Sequence, residues 1–177
     1  MTTTAYNLDQ VLSWVRVGRP IILMDDQKEM EGDLYCAAEA ATPETLQFMV
    51  RKASGFLCFS THRYILEDLG IPRFTEVARR SGLVHSLKLA ETPFHVPVDA
   101  IACRTGISVL DRFLTVQTLL RKDAHPSMFE TPGHLLTLGA APGLLRARQG
   151  HTETSVALAQ AAGLKPAGLL CEIVGDD

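Results

Sequence analysis

The sequence predicts a mixed α/β fold of the α+β type, in which residues 1–177 form a single compact domain. Helical and strand-like segments are mixed along the chain without a clean βαβ repeat or any internal sequence repeat. No Pro-rich or Ser-rich linker divides the chain, and its length fits one domain at roughly 150 residues per domain. A hydrophobic content of 46% is that of an ordinary globular domain.

In the first half of the chain, helix and strand signals take turns. Apolar residues at helical spacing begin at Leu8, and the apolar run IILM after Pro20 predicts a buried strand. Thr42 as the cap and Pro43 at the first helical position predict the start of a second helix. The run FLCFS predicts the next strand, and a short helix is expected from Tyr64.

In the second half, residues 73–93 have weak periodicity and predict a loop. The segment FHVPVDA alternates like a strand, which Pro97 would confine to a sheet edge or a bulge. Ser108 caps the next predicted helix, and HLLTLGA predicts a strand after a Pro-Gly turn. Thr152 is expected to cap the last helix, and GLLCEIV is the last predicted strand.

Composition excludes several classes of protein. With 17 basic and 20 acidic residues, the chain is not a strongly basic nucleic-acid binder. Its apolar runs are shorter than the ~18 residues that a membrane span needs, and its start lacks the pattern of a secretory signal. The cysteines form no C-x-x-C pair, which argues against a zinc knuckle or a thioredoxin-type motif. Three of them lie in apolar, strand-like segments, which predicts buried free thiols in a reducing cytoplasm. They are Cys36, Cys58, Cys103 and Cys171.

A first candidate site is the acidic segment that contains Glu29, Glu31 and Asp33. If this segment is extended, residues two apart point to one side, and three like charges there repel unless a cation lies among them. Oxygen-only ligands suit a hard ion such as magnesium or manganese. The alternative is a solvated acidic loop, since charge runs usually face solvent.

A second candidate is the helix start near Arg148, Gly150 and Thr152. A helix N-terminus offers unpaired N–H groups and a positive dipole end to an anion, and Arg148 would add a phosphate contact. The alternative is plain capping with His151 and Arg148 exposed. Because the chain has no GxGxxG or GxxxxGK[ST] motif, any bound phosphate belongs to a molecule smaller than a nucleotide.

A third candidate is the pair His134 and Glu172. Glu172 lies inside the apolar run LLCEIV, where a carboxylate is expensive to bury unless it is paired. Such a group, together with a histidine, could serve as acid and base. The alternatives are an edge strand with Glu172 in solvent and a purely structural His134.

Taken together, these segments resemble the 3,4-dihydroxy-2-butanone 4-phosphate synthase family of riboflavin biosynthesis. The similarity runs from Leu8 to Glu172 and comprises, in the family's order, EMEGDLYCAAE, SGFLC, TGISVLDR, TPGHLLTL, GHTETSVALAQAAG and LLCEI. It implies that family's single α+β domain and a lyase that converts D-ribulose 5-phosphate into L-3,4-dihydroxybutan-2-one 4-phosphate and formate. It also implies Mg²⁺ or Mn²⁺, two ions per site with substrate bound, and a cytoplasmic homodimer with active sites near the interface.

The resemblance also assigns roles to residues. Glu29 and His151 match the metal ligands, and His134 and Glu172 match the pair assigned to proton transfer. The implied substrate contacts are Lys28, Glu29, Asp33, Cys58, Thr105, Arg148, Gly150, His151, Thr152 and Glu172.

Two departures from the family pattern lie in the acidic segment. Lys28 stands where the family usually has arginine, which replaces a bidentate donor with a point charge. Met30 stands where a polar residue is usual. These changes leave open a diverged paralogue that makes a different product from the same or a related sugar phosphate. A non-catalytic sugar-phosphate-binding homologue is a further alternative, although a sensor would need no proton-transfer pair.

Overall fold

One mixed β-sheet organises the fold. The structure is a computed structural model that describes residues 6–25, 31–82 and 93–174. Its strands are β1 (Ile21–Met24), β2 (Gly32–Ala37), β3 (Leu57–His62), β4 (Phe94–Ala100), β5 (Phe129–Ala140) and β6 (Ala167–Ile173). They lie in the order β1-β2-β6-β3-β5-β4, and every neighbouring pair is antiparallel except the parallel pair β3–β5. The predicted mixed α/β fold is therefore confirmed.

Helices cover both faces of this sheet. Within the described ranges the α-helices are α1 (Leu8–Arg16), α2 (Pro43–Lys52), α3 (Arg63–Asp68), α4 (Phe74–Ser81), α5 (Val109–Leu119) and α6 (His151–Ala161). None of them is both long and apolar enough to cross a bilayer. The predicted caps at Thr42 and Ser108 are confirmed, since each side chain accepts a backbone N–H of the first turn of its helix.

The two faces carry separate apolar cores, because successive strand residues point to opposite sides. Helices α2, α3 and α5 cover one face, which we call the apolar face; its core includes Leu46, Leu57, Leu66, Val116 and Leu169. Helices α1 and α6 cover the other, which we call the site face; its core includes Leu12, Tyr35, Cys58, Ala159 and Leu170. All four cysteines are free thiols, and the three in apolar segments, Cys36, Cys58 and Cys171, are buried as predicted.

Two local predictions about helices are wrong. Residues 74–81 form α4 rather than a loop; this helix buries only Thr75 and Ala78, so it has no broad apolar stripe for a periodicity argument to detect. Thr152 is not a cap, because Gly150 is the N-cap and its carbonyl already accepts the N–H of Thr154 at 3.0 Å. Residues 83–92 lie outside the described part of the chain.

Strand β4 is a sheet edge with a bulge, as the proline in FHVPVDA predicted. The expected Pro-Gly turn before the next strand is wrong, because β5 runs through Pro132 and Gly133. Val98 pairs with Leu135 whereas the adjacent Asp99 pairs with Glu130, so residues 131–134 bulge out of β5 between paired positions. A side chain on Gly133 would collide with the backbone of Val98, which is why glycine fits there.

Candidate active site

The candidate site lies at one end of the site face, where β2 and β6 run side by side. Asp33 of β2 pairs directly with Glu172 of β6. Both residues line a cavity of about 520 Å³, together with Glu31, Arg148, His151 and Thr152. β6 is a central strand, so the edge-strand alternative for Glu172 is wrong. The side chain of Glu172 is nevertheless exposed, because this residue lies near the end of β6 and faces the cavity.

The acidic segment reaches the same cavity. Glu31 and Asp33 both line it, as their two-residue spacing suggested. Asp25 donates its backbone N–H to the carbonyl of Glu31 at 3.0 Å, which joins the two residues flanking the segment 26–30. Lys28 and Glu29 themselves lie outside the described residues.

His151, the first residue of α6, presents a nitrogen suited to a metal. Its Nδ1 lies 3.4 Å from Oδ2 of Asp33, and its side chain is only 13% exposed. Its Nε2 is buried and has no hydrogen-bond partner among the described residues. A carboxylate on one ring nitrogen that leaves the other free for metal is the usual arrangement around a histidine ligand. His151 therefore fits the predicted ligand role, although the described ranges contain no group of three or more such ligands.

Arg148 is held in the wall of the cavity by Glu153. Its Nη1 lies 2.8 Å from Oε2 of Glu153, which is 1% exposed. Oε1 of Glu153 accepts the backbone N–H of Ala141 at 3.0 Å, so both carboxylate oxygens are used. A side chain on Gly150 would collide with the Arg148 guanidinium, so glycine permits this contact. Glu153 was not among the predicted site residues, because its partners lie 5 and 12 residues away along the chain.

Cys58 is buried in β3, close enough to Glu172 and Asp33 for their charges to act on its thiol. Burial raises the pKa of its thiol far above the ordinary value, and the negative charges of Glu172 and Asp33 raise it further. A thiolate is the nucleophilic form of cysteine. The role of Cys58 as a substrate contact stays a prediction.

His134 lies at the same end of the sheet, across β3 from Glu172. Leu136, two residues after His134, pairs with Cys58, and Cys58 pairs with Leu170, two residues before Glu172. The side chain of His134 is 42% exposed. The structure therefore brings the two predicted proton-transfer residues to one end of the sheet, although His134 does not line the cavity described above.

Asp99 is a residue of this region that the sequence analysis missed. One of its carboxylate oxygens accepts the backbone N–H of His134 at 2.9 Å, and the other lies 2.6 Å from Nδ1 of His134. Asp99 is 4% exposed. A carboxylate at the end of the apolar alternation FHVPVDA was the available signal, because a buried acid requires a partner.

Thr105, another predicted contact, lies in the loop before α5. It is exposed and does not line the cavity. The Asp111 carboxylate accepts the backbone N–H groups of Arg104 and Gly106 on either side of it, each at 3.2 Å. These bonds, that of Arg104 first, lower the pKa of Asp111. The loop is thereby fixed with Gly106 packed against Asp99 and His134.

Comparison with known proteins identifies the family. The sequence profile of the 3,4-dihydroxy-2-butanone 4-phosphate synthase family matches residues 9–177. The chain belongs to this family. A 3,4-dihydroxy-2-butanone 4-phosphate synthase of Candida albicans is 40% identical over 179 residues, covering 100% of this chain and 84% of the relative. A synthase of the same name from Neisseria meningitidis serogroup A is 38% identical over 96% of this chain, which spans only 45% of that relative's length.

Solved structures of the family agree with the fold. A crystal structure of a 3,4-dihydroxy-2-butanone 4-phosphate synthase in complex with two magnesium ions superposes with a TM-score of 0.85 at 35% identity, covering 98% of this chain and 79% of that one. A cation-free synthase structure superposes with a TM-score of 0.84 and covers 98% of this chain. The predicted fold type of this family is therefore confirmed.

Proposed function

We propose that this chain converts D-ribulose 5-phosphate into L-3,4-dihydroxybutan-2-one 4-phosphate and formate, as a lyase that supplies riboflavin biosynthesis. The observation that carries the proposal is the meeting, in one cavity at the start of α6, of three carboxylates, an arginine and a histidine with an unpartnered buried nitrogen. These residues are Glu31, Asp33, Glu172, Arg148 and His151. The names of the family's relatives, one of them a riboflavin biosynthesis protein of Aquifex aeolicus that is 39% identical, support the same reaction.

The phosphate of the substrate would bind at the start of α6. The first N–H groups of a helix have no partner within it, and its dipole favours negative charge there. Arg148 lies at the same cavity wall and is held in place by Glu153. Binding the phosphate here anchors a small, flexible sugar, so that remote binding energy positions the carbons that react.

A divalent cation, magnesium or manganese, would be held by His151 and Glu29, with two ions present when substrate is bound. The unpartnered Nε2 of His151, backed by Asp33 at Nδ1, supports this assignment. When bound, the cation supplies Lewis-acid polarisation of the substrate carbonyl. A crystal structure of a relative holds two magnesium ions.

Proton transfer would fall to His134 and Glu172. One of them removes the carbon-bound proton next to the ketone, and the other protonates the hydroxide that leaves. A shift of the carbon skeleton and attack of water on the displaced carbon then release that carbon as formate. The five carbons of the substrate are thus divided into a four-carbon phosphate and formate, and no oxidant is consumed.

The proposal includes a homodimer. Ile107 and Leu110, beside and at the start of α5, are 55% and 67% exposed, and apolar side chains of this size at one place favour burial against a partner. Light scattering on the purified chain should give twice the mass of 19.3 kDa. A monomer at the concentration of the activity assay would exclude the dimer but leave the reaction open.

The test of the reaction is formate release. The purified chain is incubated with D-ribulose 5-phosphate and magnesium, and formate is measured with and without a chelator. We expect formate only when the cation is present, and the variant His134→Gln should release it far more slowly. A folded protein that releases no formate under these conditions would overturn the proposal.

A diverged paralogue is the second candidate, because Lys28 and Met30 depart from the family's acidic segment. Carbon-13 NMR of products from uniformly labelled substrate distinguishes the two. The four-carbon phosphate with labelled formate supports the family reaction, whereas consumption of substrate with a different carbon pattern supports the paralogue. Binding without consumption would indicate a non-catalytic homologue.

A further inference from the structure

We propose that Asp99 is a positioning residue that fixes His134 in one tautomer and one orientation, with Nε2 as the nitrogen that exchanges protons with the substrate. The part of this inference that concerns turnover rests on the proposed function. The part that concerns the tautomer of His134 does not, and it is measured separately.

The hydrogen-bonding chemistry of the pair assigns the tautomer. An ionised carboxylate only accepts hydrogen bonds, so a ring nitrogen 2.6 Å from its oxygen must carry a proton. That nitrogen is Nδ1, and the lone pair of a neutral imidazole is then on Nε2. A second bond, from the backbone N–H of His134 to the other oxygen of Asp99 at 2.9 Å, ties the carboxylate to the same residue at two points.

Asp99 can impose this orientation because it is itself fixed. It is 4% exposed, and Gly106 packs so closely that a side chain there would collide with both Asp99 and Nδ1 of His134. On the apolar face, Arg112 is 7% exposed, and its positive charge is attracted by the negative charge of Asp99. Burial lowers the pKa of Arg112, and the negative charge of Asp99 acts in the opposite direction.

His134 needs such support because of its position. Its side chain is 42% exposed and lies in the bulge of β5, where residues 131–134 fall outside the regular pairing with β4. A proton-transfer group contributes to catalysis only while its reactive atom is correctly aimed. A buried carboxylate hydrogen-bonded to the imidazole fixes both the orientation of the ring and its tautomer, as in other histidine–carboxylate pairs.

The variant Asp99→Asn tests the inference directly. Its amide oxygen still accepts the backbone N–H of His134, but its NH₂ group now faces Nδ1, so the proton moves to Nε2 and that nitrogen can no longer act as a base. We expect kcat to fall by about 10²–10⁴-fold, with KM changed less than about threefold because substrate binding is untouched. The matched control is Asp123→Asn, which removes an exposed carboxylate paired with Arg121 and should keep wild-type kinetics.

Nitrogen-15 NMR of histidine-labelled protein reads the tautomer without any turnover, with the His134 signal assigned from its loss in His134→Gln. The wild type should show Nδ1–H, and Asp99→Asn should show Nε2–H. Wild-type protein with Nε2–H would overturn the inference even if Asp99→Asn failed to fold. If Asp99→Asn changes the tautomer of His134 as expected but the wild-type protein releases no formate, the inference is supported and the proposed function is excluded.

A double variant separates positioning from a structural or direct role. If Asp99 acts only through His134, then Asp99→Asn added to His134→Gln should cost no further activity, since both changes remove the same interaction. An additional loss of about tenfold or more in the double variant would contradict the inference.

Discussion

The two faces of the sheet differ in what covers their ends. On the apolar face, α2, α3 and α5 bury a continuous core that extends along the strands. On the site face, α6 begins at His151, beside Asp33. The end of the sheet on this face therefore lies next to the N-terminus of a helix and not next to packed helix side chains. The same strands serve both faces, because Asp33 and Leu34, or Cys171 and Glu172, are consecutive. Neighbouring residues of one strand thus serve different purposes, one in the candidate site and the next in the apolar core.

The largest effect should come from a change on the site face that leaves the apolar face intact. Glu172→Gln should lower the rate of formate release by about 10²–10⁴-fold, the usual contribution of one proton-transfer group. Because this side chain is exposed, the urea concentration at the midpoint of unfolding should change little. Activity within tenfold of the wild type would remove Glu172 from the proposed mechanism.

The converse change acts on the apolar face. Leu46 in α2 is fully buried, and Leu46→Ala should lower the free energy of unfolding by about 2–5 kcal/mol through lost burial and a cavity. Activity per folded molecule should be kept, since the side chain points away from the site. Leu8→Ala, at a position that is 62% exposed, is the matched control and should change stability by less than about 0.5 kcal/mol. A loss of activity per folded molecule in Leu46→Ala would contradict the separation of the two faces, and an equal loss of stability in both variants would show that burial of Leu46 does not stabilise the fold.

A smaller effect is expected at the start of α6. In Gly150→Ala the new methyl group displaces the Arg148 guanidinium from Glu153, so the phosphate contact weakens. We expect KM for the sugar phosphate to rise by about tenfold, which corresponds to roughly 1.4 kcal/mol of binding, while kcat changes less. Initial rates over a range of substrate concentrations measure this. A fall in kcat alone would indicate that Arg148 does not serve binding.

The smallest effect concerns a buried polar group away from the site. His95 is fully buried, its Nδ1 lies 2.7 Å from the carbonyl of Ile71, and burial lowers the pKa of its ring. The unfolded chain therefore binds a proton below pH of about 6.5 that the folded protein does not, so stability falls as pH decreases, by up to ~1.4 kcal/mol per pH unit.

His95→Gln keeps a donor for Ile71 and should remove this component of the pH dependence, as measured by urea unfolding between about pH 4.5 and 7. His125→Gln, at an exposed position, is the control, and its stability should depend on pH in the same way as that of the wild type. A His95→Gln curve parallel to the wild type would show that His95 does not contribute.

Local signals predicted several elements correctly, although the equally local signal for a cap at Thr152 was wrong. The caps at Thr42 and Ser108 and the edge position of β4 depend on neighbours within a few residues, and each is confirmed. The helix α4 was missed because it buries so little. The bulge in β5 was taken for a turn because its Pro-Gly pair is typical of turns, and only the pairing with β4 shows otherwise.

For the candidate site, residue types were accessible from sequence and partnerships were not. Arg148 and His151 stood out because the start of a helix favours an anion. Asp99 supports His134 from 35 residues away, and no local pattern connects them. Contacts of that kind are fixed by strand pairing, which the sequence does not display.

The bulge of β5 has a consequence for how such a site can diverge. Residues 131–134 lie between two segments of β5 whose pairing with β4 is set independently on either side. Substitutions at residues 131–133 of this stretch would shift the imidazole of His134 relative to the cavity while both flanking segments of β5 kept their register with β4. Selection on new substrates therefore has access here to a segment that can be altered separately from the folding of the sheet.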